Sequence, residues 1–154
     1  MSTIGIQFNA SRARTWTQHS RPRLWRMWWV IVKRSASGYG ETVGRLSEAI
    51  ERRGLTVFGR IDHAAAARES GLELADEEVV VFGNPRAGTP LMQSDPRIGI
   101  QLPLRILVWA DAEGVLLGYR DPRELAADYD VAQHESTLKQ MATLLAELSG
   151  EAAG

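Results

Sequence analysis

The spacing of apolar positions changes several times along the chain, and each change marks an element. Residues 26–34, RMWWVIVKR, are a nearly continuous run of apolar residues, many of them β-branched or aromatic. Such a run predicts a strand covered on both faces. After a turn at Ser37, Gly38 and Gly40 the spacing lengthens. Val43, Leu46, Ala49 and Ile50 recur at steps of three and four within 41–53, the stripe of an amphipathic helix. Glu48 and Arg52 form an i,i+4 pair on its wet side, and Gly54 stands where a left-handed residue ends a helix. Residues 55–61 return to period two, with Leu55, Val57 and Ile61 in step, and predict a second strand. Asp62 is a good N-cap for the alanine-rich segment 63–70, which Gly71 closes.

A third strand is predicted over 77–82, where Val79-Val80-Val81-Phe82 is again continuous and buried in character. Residues 83–88 read as a loop. Thr89-Pro90 resembles an N-cap followed by proline at N1, opening a short helix to Asp95 that Pro96 and Gly99 break. Strands over 103–110 and 115–119 flank Asp111-Ala112-Glu113-Gly114, a hairpin turn with glycine near the position that needs positive φ. Asp121-Pro122 opens a helical turn to Ala127. A last helix over 132–148 places Leu138, Met141, Leu145 and Leu148 on one face, with Gly150 after it. Without repeat or linker, this order predicts one two-layer α+β domain over 26–150. Its sheet is mainly antiparallel, of about five strands, and covered by helices.

Composition sharpens the picture mainly at the N-terminus. Length (154 residues), 44% apolar and 24% charged content suit one soluble globular domain. The net charge of −1 hides an asymmetry: residues 1–40 carry seven Lys/Arg and no Asp/Glu, which leaves −8 on the remainder. Residues 1–25 lack periodicity and read as a disordered basic tail, with Met27 as an alternative start. Arg12, Arg14, Arg21 and Arg23 with Ser11 and Ser20 also have the composition of a transit peptide. The run 27–32 is about a third of the roughly 20 residues a membrane span needs, so a soluble, cytoplasmic protein is expected. No cysteine is present, which excludes disulfides, thiolate metal sites and cysteine nucleophiles.

Several stretches together resemble the bacterial and archaeal family named domain of unknown function 302. They are Thr42-Val43-Gly44-Arg45-Leu46, Phe58-Gly59-Arg60-Ile61-Asp62-His63, the run from Phe82 through Gly83-Asn84-Pro85-Arg86-Ala87-Gly88-Thr89-Pro90 to Met92, Leu102-Pro103-Leu104 and Tyr119-Arg120-Asp121-Pro122. They follow in order over nearly the whole chain after the tail. The resemblance implies a compact α+β fold similar to the TATA-binding-protein-like class, and a homodimer. It implies no activity.

Candidate chemistry gathers between residues 58 and 91. His63 follows the capping residue Asp62 and could serve as a general base near neutrality; the plainer reading is a surface histidine beside a helix cap. The glycines of Gly83-Asn84-Pro85-Arg86-Ala87-Gly88-Thr89 are spaced as in a phosphate loop, but the loop lysine is missing, which excludes a nucleotide site of that type. A weaker anion site, from Arg86 and free N–H groups after Thr89, stands against ordinary capping by Asn84. If the strands before these two clusters run in the same direction, His63, Asn84, Arg86 and Thr89 converge; if they are antiparallel, the clusters lie at opposite ends.

Two functions follow from the convergent case. One is a dimeric, non-enzymatic binding or accessory module that holds a small polar or anionic ligand near His63, Asn84 and Thr89. The other is an enzyme with His63 as base acting on a small anionic substrate. A purely structural role for the motif is a third reading. Metal is not expected: His19 and His134 lack a second histidine at helical spacing, and Asp62, His63 and Glu69 are a common surface grouping. No cofactor is indicated, the G-x-S-x-G elbow is missing, and the acidic body of the domain disfavours nucleic acid.

Overall fold

Strands β1 (Val30–Arg34), β2 (Thr56–Asp62), β3 (Glu77–Gly83), β4 (Leu104–Asp111) and β5 (Gly114–Arg120) pair into one sheet in the order β1-β5-β4-β3-β2. Every pairing is antiparallel. This is the architecture of a computed structural model, which describes residues 30–154. The tail, Met27 and the first half of the predicted opening strand lie outside the described residues.

Helices α1 (Tyr39–Arg52) and α4 (Glu135–Ala153) pack side by side on one face of the sheet. The α1 stripe read from the sequence is buried as a unit, Val43, Leu46, Ala49 and Ile50 all being at most 5% exposed. It meets Leu138, Met141, Leu145 and Leu148 of α4 and the inward side chains Val80, Phe82, Ile106, Val108 and Leu117 of the sheet. Each large side chain so removed from water contributes about 1.5–3 kcal/mol. Two shorter helices, α2 (His63–Glu69) and α3 (Pro85–Ser94), follow β2 and β3 at opposite ends of the sheet. The α+β class, the element order and the antiparallel sheet are those the pattern predicts.

The turns are built as their residues dictate. Gly54 ends α1 at φ 63° and Gly71 ends α2 at φ 73°, left-handed positions that cost other residues energy. Gly114 closes the β4–β5 hairpin at φ 133°, and Asp111 accepts the Glu113 N–H at 2.7 Å.

Five local expectations are corrected. β1 is an edge strand with half-buried residues rather than one covered on both faces. A bulge between Val57 and Gly59 inverts the parity of β2, so Ile61 faces the open side at 50% exposure while Val57 packs on the core. Of the Val79–Phe82 run in β3 only Val80 and Phe82 are buried; Val79 and Val81 point to the face away from α1 and α4. α3 starts at Pro85, not Pro90, because Asn84-Pro85 is itself a cap followed by proline at N1, and Pro90 is carried inside the helix. α4 starts at Glu135 and continues through Gly150 to Ala153. Its last turn is held by burial of Ala152 and Ala153 and by the Ala36 N–H donating to the Ala153 carbonyl at 2.8 Å.

Candidate functional site

The register of β2 and β3 decides the composite site. Thr56 pairs with Gly83 and Asp62 pairs with Glu78, so His63 and Asn84 extend from opposite ends of the ribbon. Six residue steps at about 3.3 Å separate them by roughly 20 Å. The pocket joining His63 to Asn84 and Thr89 is therefore corrected: antiparallel pairing divides it in two.

At one end, Asp62 accepts the Ala65 N–H at 2.7 Å and caps α2, as its position predicts. His63 is half-buried and makes no side-chain hydrogen bond among the described residues. Two carboxylates at this end, those of Asp62 and Glu78, are already paired. Glu78 is 5% exposed, and its two oxygens accept from Nε and Nη2 of Arg60. Burial, with the nearby Glu78 carboxylate, pushes the Tyr39 phenol up to about 12. No group of three or more His, Asp or Glu side chains among the described residues is placed to hold a metal ion.

The other end is hollow. A groove of about 210 Å3 opens between α3, α4 and the strand ends. Its walls are Leu55 and Phe58 from around β2, Met92 of α3, Leu102 before β4, and Met141 and Leu144 of α4. Gly83, Asn84, Gly88, Thr89 and the Leu102-Pro103-Leu104 segment, where the Leu102-Pro103 bond is cis, complete it. Stretches that carry the family resemblance thus meet here. The apolar wall residues were not singled out in the sequence, where Met141 reads as core and Leu144 falls outside the α4 stripe.

The start of α3 offers an anion no free backbone donors. The Arg86 N–H donates to Asn84 Oδ1 at 2.9 Å, the Ala87 and Gly88 N–H groups reach the Asn84 carbonyl at 3.0 and 3.2 Å, and Pro85 has none. The anticipated anion cradle after Thr89 is overturned for that reason. Polar capacity at the groove lies in side chains instead. Asn84 Nδ2 and the Thr89 hydroxyl have no hydrogen-bond partner among the described residues, and Arg86, exposed between two groove-lining residues, has no ion pair.

Two other Asx-Pro-Arg triplets behave differently. Asp95 accepts the Arg97 N–H and binds its guanidinium through both oxygens, at 3.0 and 2.7 Å; Asp121 and Arg123 do the same. The paired arginine lowers each carboxyl from its ordinary range, and holds that of Asp95 well below it. In Asn84-Pro85-Arg86 the capping side chain is neutral, so the guanidinium is not folded back.

Residues 31–148 match the family model described as Domain of unknown function DUF302. The chain belongs to this family. A solved member, the uncharacterized conserved protein DUF302 from Bacillus stearothermophilus, shares the fold with a TM-score of 0.73 at 18% identity, over 80% of this chain and 98% of that one. Among curated proteins the family domain is 37% identical over 127 residues to Fluoride-specific ion channel FluC 1 of Brucella suis biovar 1 (strain 1330). It is equally similar to FluC 1 of Brucella abortus biovar 1 (strain 9-941). The alignment takes in 81% of this chain but only 50% and 47% of those proteins, so the chain spans about half their length. No helix among the described residues is long and apolar enough to cross a membrane.

Proposed function

We propose that this chain is a non-enzymatic accessory domain whose ligand site is the groove between α3 and α4. The observation that carries this reading is the groove itself: an apolar hollow whose rim side chains, Asn84 and Thr89, have hydrogen-bond capacity that the fold leaves unused. The half-length match to proteins named as fluoride channels supports the accessory role.

Gly88 supplies the test. A Cβ there would stand 3.6 Å from Leu102 and 3.9 Å from Met92, ordinary contact distances, so Gly88→Leu starts without strain at Cβ and brings the rest of its side chain against the groove walls. Addition of 1-octanol should shift the methyl resonances of Met92 and Met141 saturably. Gly88→Leu should abolish the shift and His63→Ala should leave it intact. A shift that survives Gly88→Leu, or none in the native chain, overturns the groove as the site.

We further infer a homodimer through the helix-free face of the sheet. Val79, Val81, Leu107 and Leu116 are half-exposed there, and Trp109 lies so close over Gly118 that a Cβ would come within 3.0 Å of its ring. Light scattering should give twice the chain mass, falling to one with Leu107→Lys; a monomer in the native chain ends the idea.

A further inference from the structure

We propose that the ligand of the groove is a medium-chain aliphatic carboxylate, its tail against Met92, Met141 and Leu144 and its head at Arg86, Asn84 and Thr89. This rests on the groove being the ligand site and adds the chemical class.

The rim defines the head group. Asn84 Oδ1 is spent on the Arg86 N–H, so what Asn84 has left to offer is its amide NH2. The Thr89 hydroxyl is free to donate. Arg86 does not itself line the groove, but it stands between the lining residues Pro85 and Ala87, and in both other triplets the arginine at this place reaches the capping side chain, so its charge lies within reach of Asn84. A rim of donors and a cation selects an acceptor that bears negative charge, and a planar guanidinium suits a carboxylate. The Asp95 and Asp121 triplets show what an arginine does in this turn when a carboxylate is within reach: it takes it in a two-oxygen grip. Asn84 withholds that carboxylate from the chain itself, and a ligand can supply it.

The floor defines the tail. Its walls are aliphatic apart from Phe58, and two of them are methionines, whose flexible thioethers adapt to irregular apolar shapes. A volume of about 210 Å3 lies below the roughly 300 Å3 at which drug-sized sites begin. On the order of seven water-sized groups of about 30 Å3 fit in it, which points to a short chain rather than a long fatty acyl one.

Calorimetric titration of the full chain with octanoate, 1-octanol and octylamine tests the class. Octanoate should bind about tenfold tighter than octanol, and octylamine weaker than octanol. Removing a methylene from the acid should weaken binding about fourfold, from about 0.8 kcal/mol per buried CH2. Arg86→Gln should bring octanoate down to the octanol level without changing octanol. Equal affinity for the alcohol and the acid, or an octanoate affinity indifferent to Arg86→Gln, overturns the carboxylate while leaving the groove as a site. Failure of all three compounds to bind overturns both readings.

Discussion

The two ends of the β2–β3 ribbon hold the candidate residues, and they use polar groups in opposite ways. Beyond Asp62 the chemistry is inward: Glu78 is buried and gripped by Arg60, Asp62 is spent on the α2 cap, and Tyr39 is held neutral beside them. At the Asn84 end the charged cap partner is missing, the walls are apolar, and donors stand unpaired around a hollow. Of the titratable residues at the Asp62 end, Asp62 and Glu78 are already spent, and His63, unpaired among the described residues, stands away from the groove. A site needs unspent capacity beside a hollow, and the two coincide at the quieter end.

The largest effect should come from breaking the satisfied end. Arg60→Ala leaves the Glu78 carboxylate buried without its partner. Severing a buried pair costs about 3–5 kcal/mol, and the half-exposure of Arg60 brings this to about 2 kcal/mol. The melting temperature should drop by roughly 6 °C, the Arg60→Ala/Glu78→Gln double variant should regain part of that, and octanol binding at the far groove should not change. A loss of groove binding in the folded variant would show that the two ends are coupled.

The ends should also differ in the pH at which each fails. Tyr39 has a folded pKa of about 12, above its ordinary 10, so its contribution is complete below pH 10 and is lost as pH rises toward 12. Asp95 and Asp121, at the groove end, are shifted the other way by their arginines. Their contribution is complete above about pH 4 and is lost as pH falls below it. Tyr39→Phe should flatten the alkaline limb of a stability–pH curve and spare the acid limb, while Asp121→Asn should do the reverse. Identical curves for native and variant chains would remove these groups from the account.

How much of this was legible follows from the range of the forces involved. The α1 stripe and the Asp62 cap rest on neighbours within one or two turns, so residue spacing alone reveals them. The expected facing of Ile61 fails because a single bulge residue reverses every side chain after it; Gly59, an isolated glycine at the bulge, is the only local sign of it. The start of α3 is readable in principle: Asn84-Pro85 carries the same cap-and-proline signal as Asp95-Pro96 and Asp121-Pro122, but Thr89-Pro90 carries it too, and spacing alone does not rank the two. The groove was not readable, since its walls come from segments as far apart as Phe58 and Leu144 and meet only through sheet order.

The smallest change tests the comparison most sharply. Asn84→Asp keeps the cap acceptor, adds a negative charge at the positive end of α3, and turns the third triplet into a copy of the other two. Arg86 should then fold back onto residue 84 as Arg97 and Arg123 do on their aspartates. Because this pair would be exposed, the gain should be only about 0.5 kcal/mol, a rise in melting temperature of one or two degrees. Octanoate should meanwhile lose its advantage over octanol, because the guanidinium is engaged and the new carboxylate repels the head group. More stability together with less acid binding, from one oxygen in place of one NH2, is the signature of an arginine kept free for a ligand. If octanoate binds the Asn84→Asp chain as well as the native one, Arg86 was never its partner, and the contrast between the triplets concerns helix capping alone.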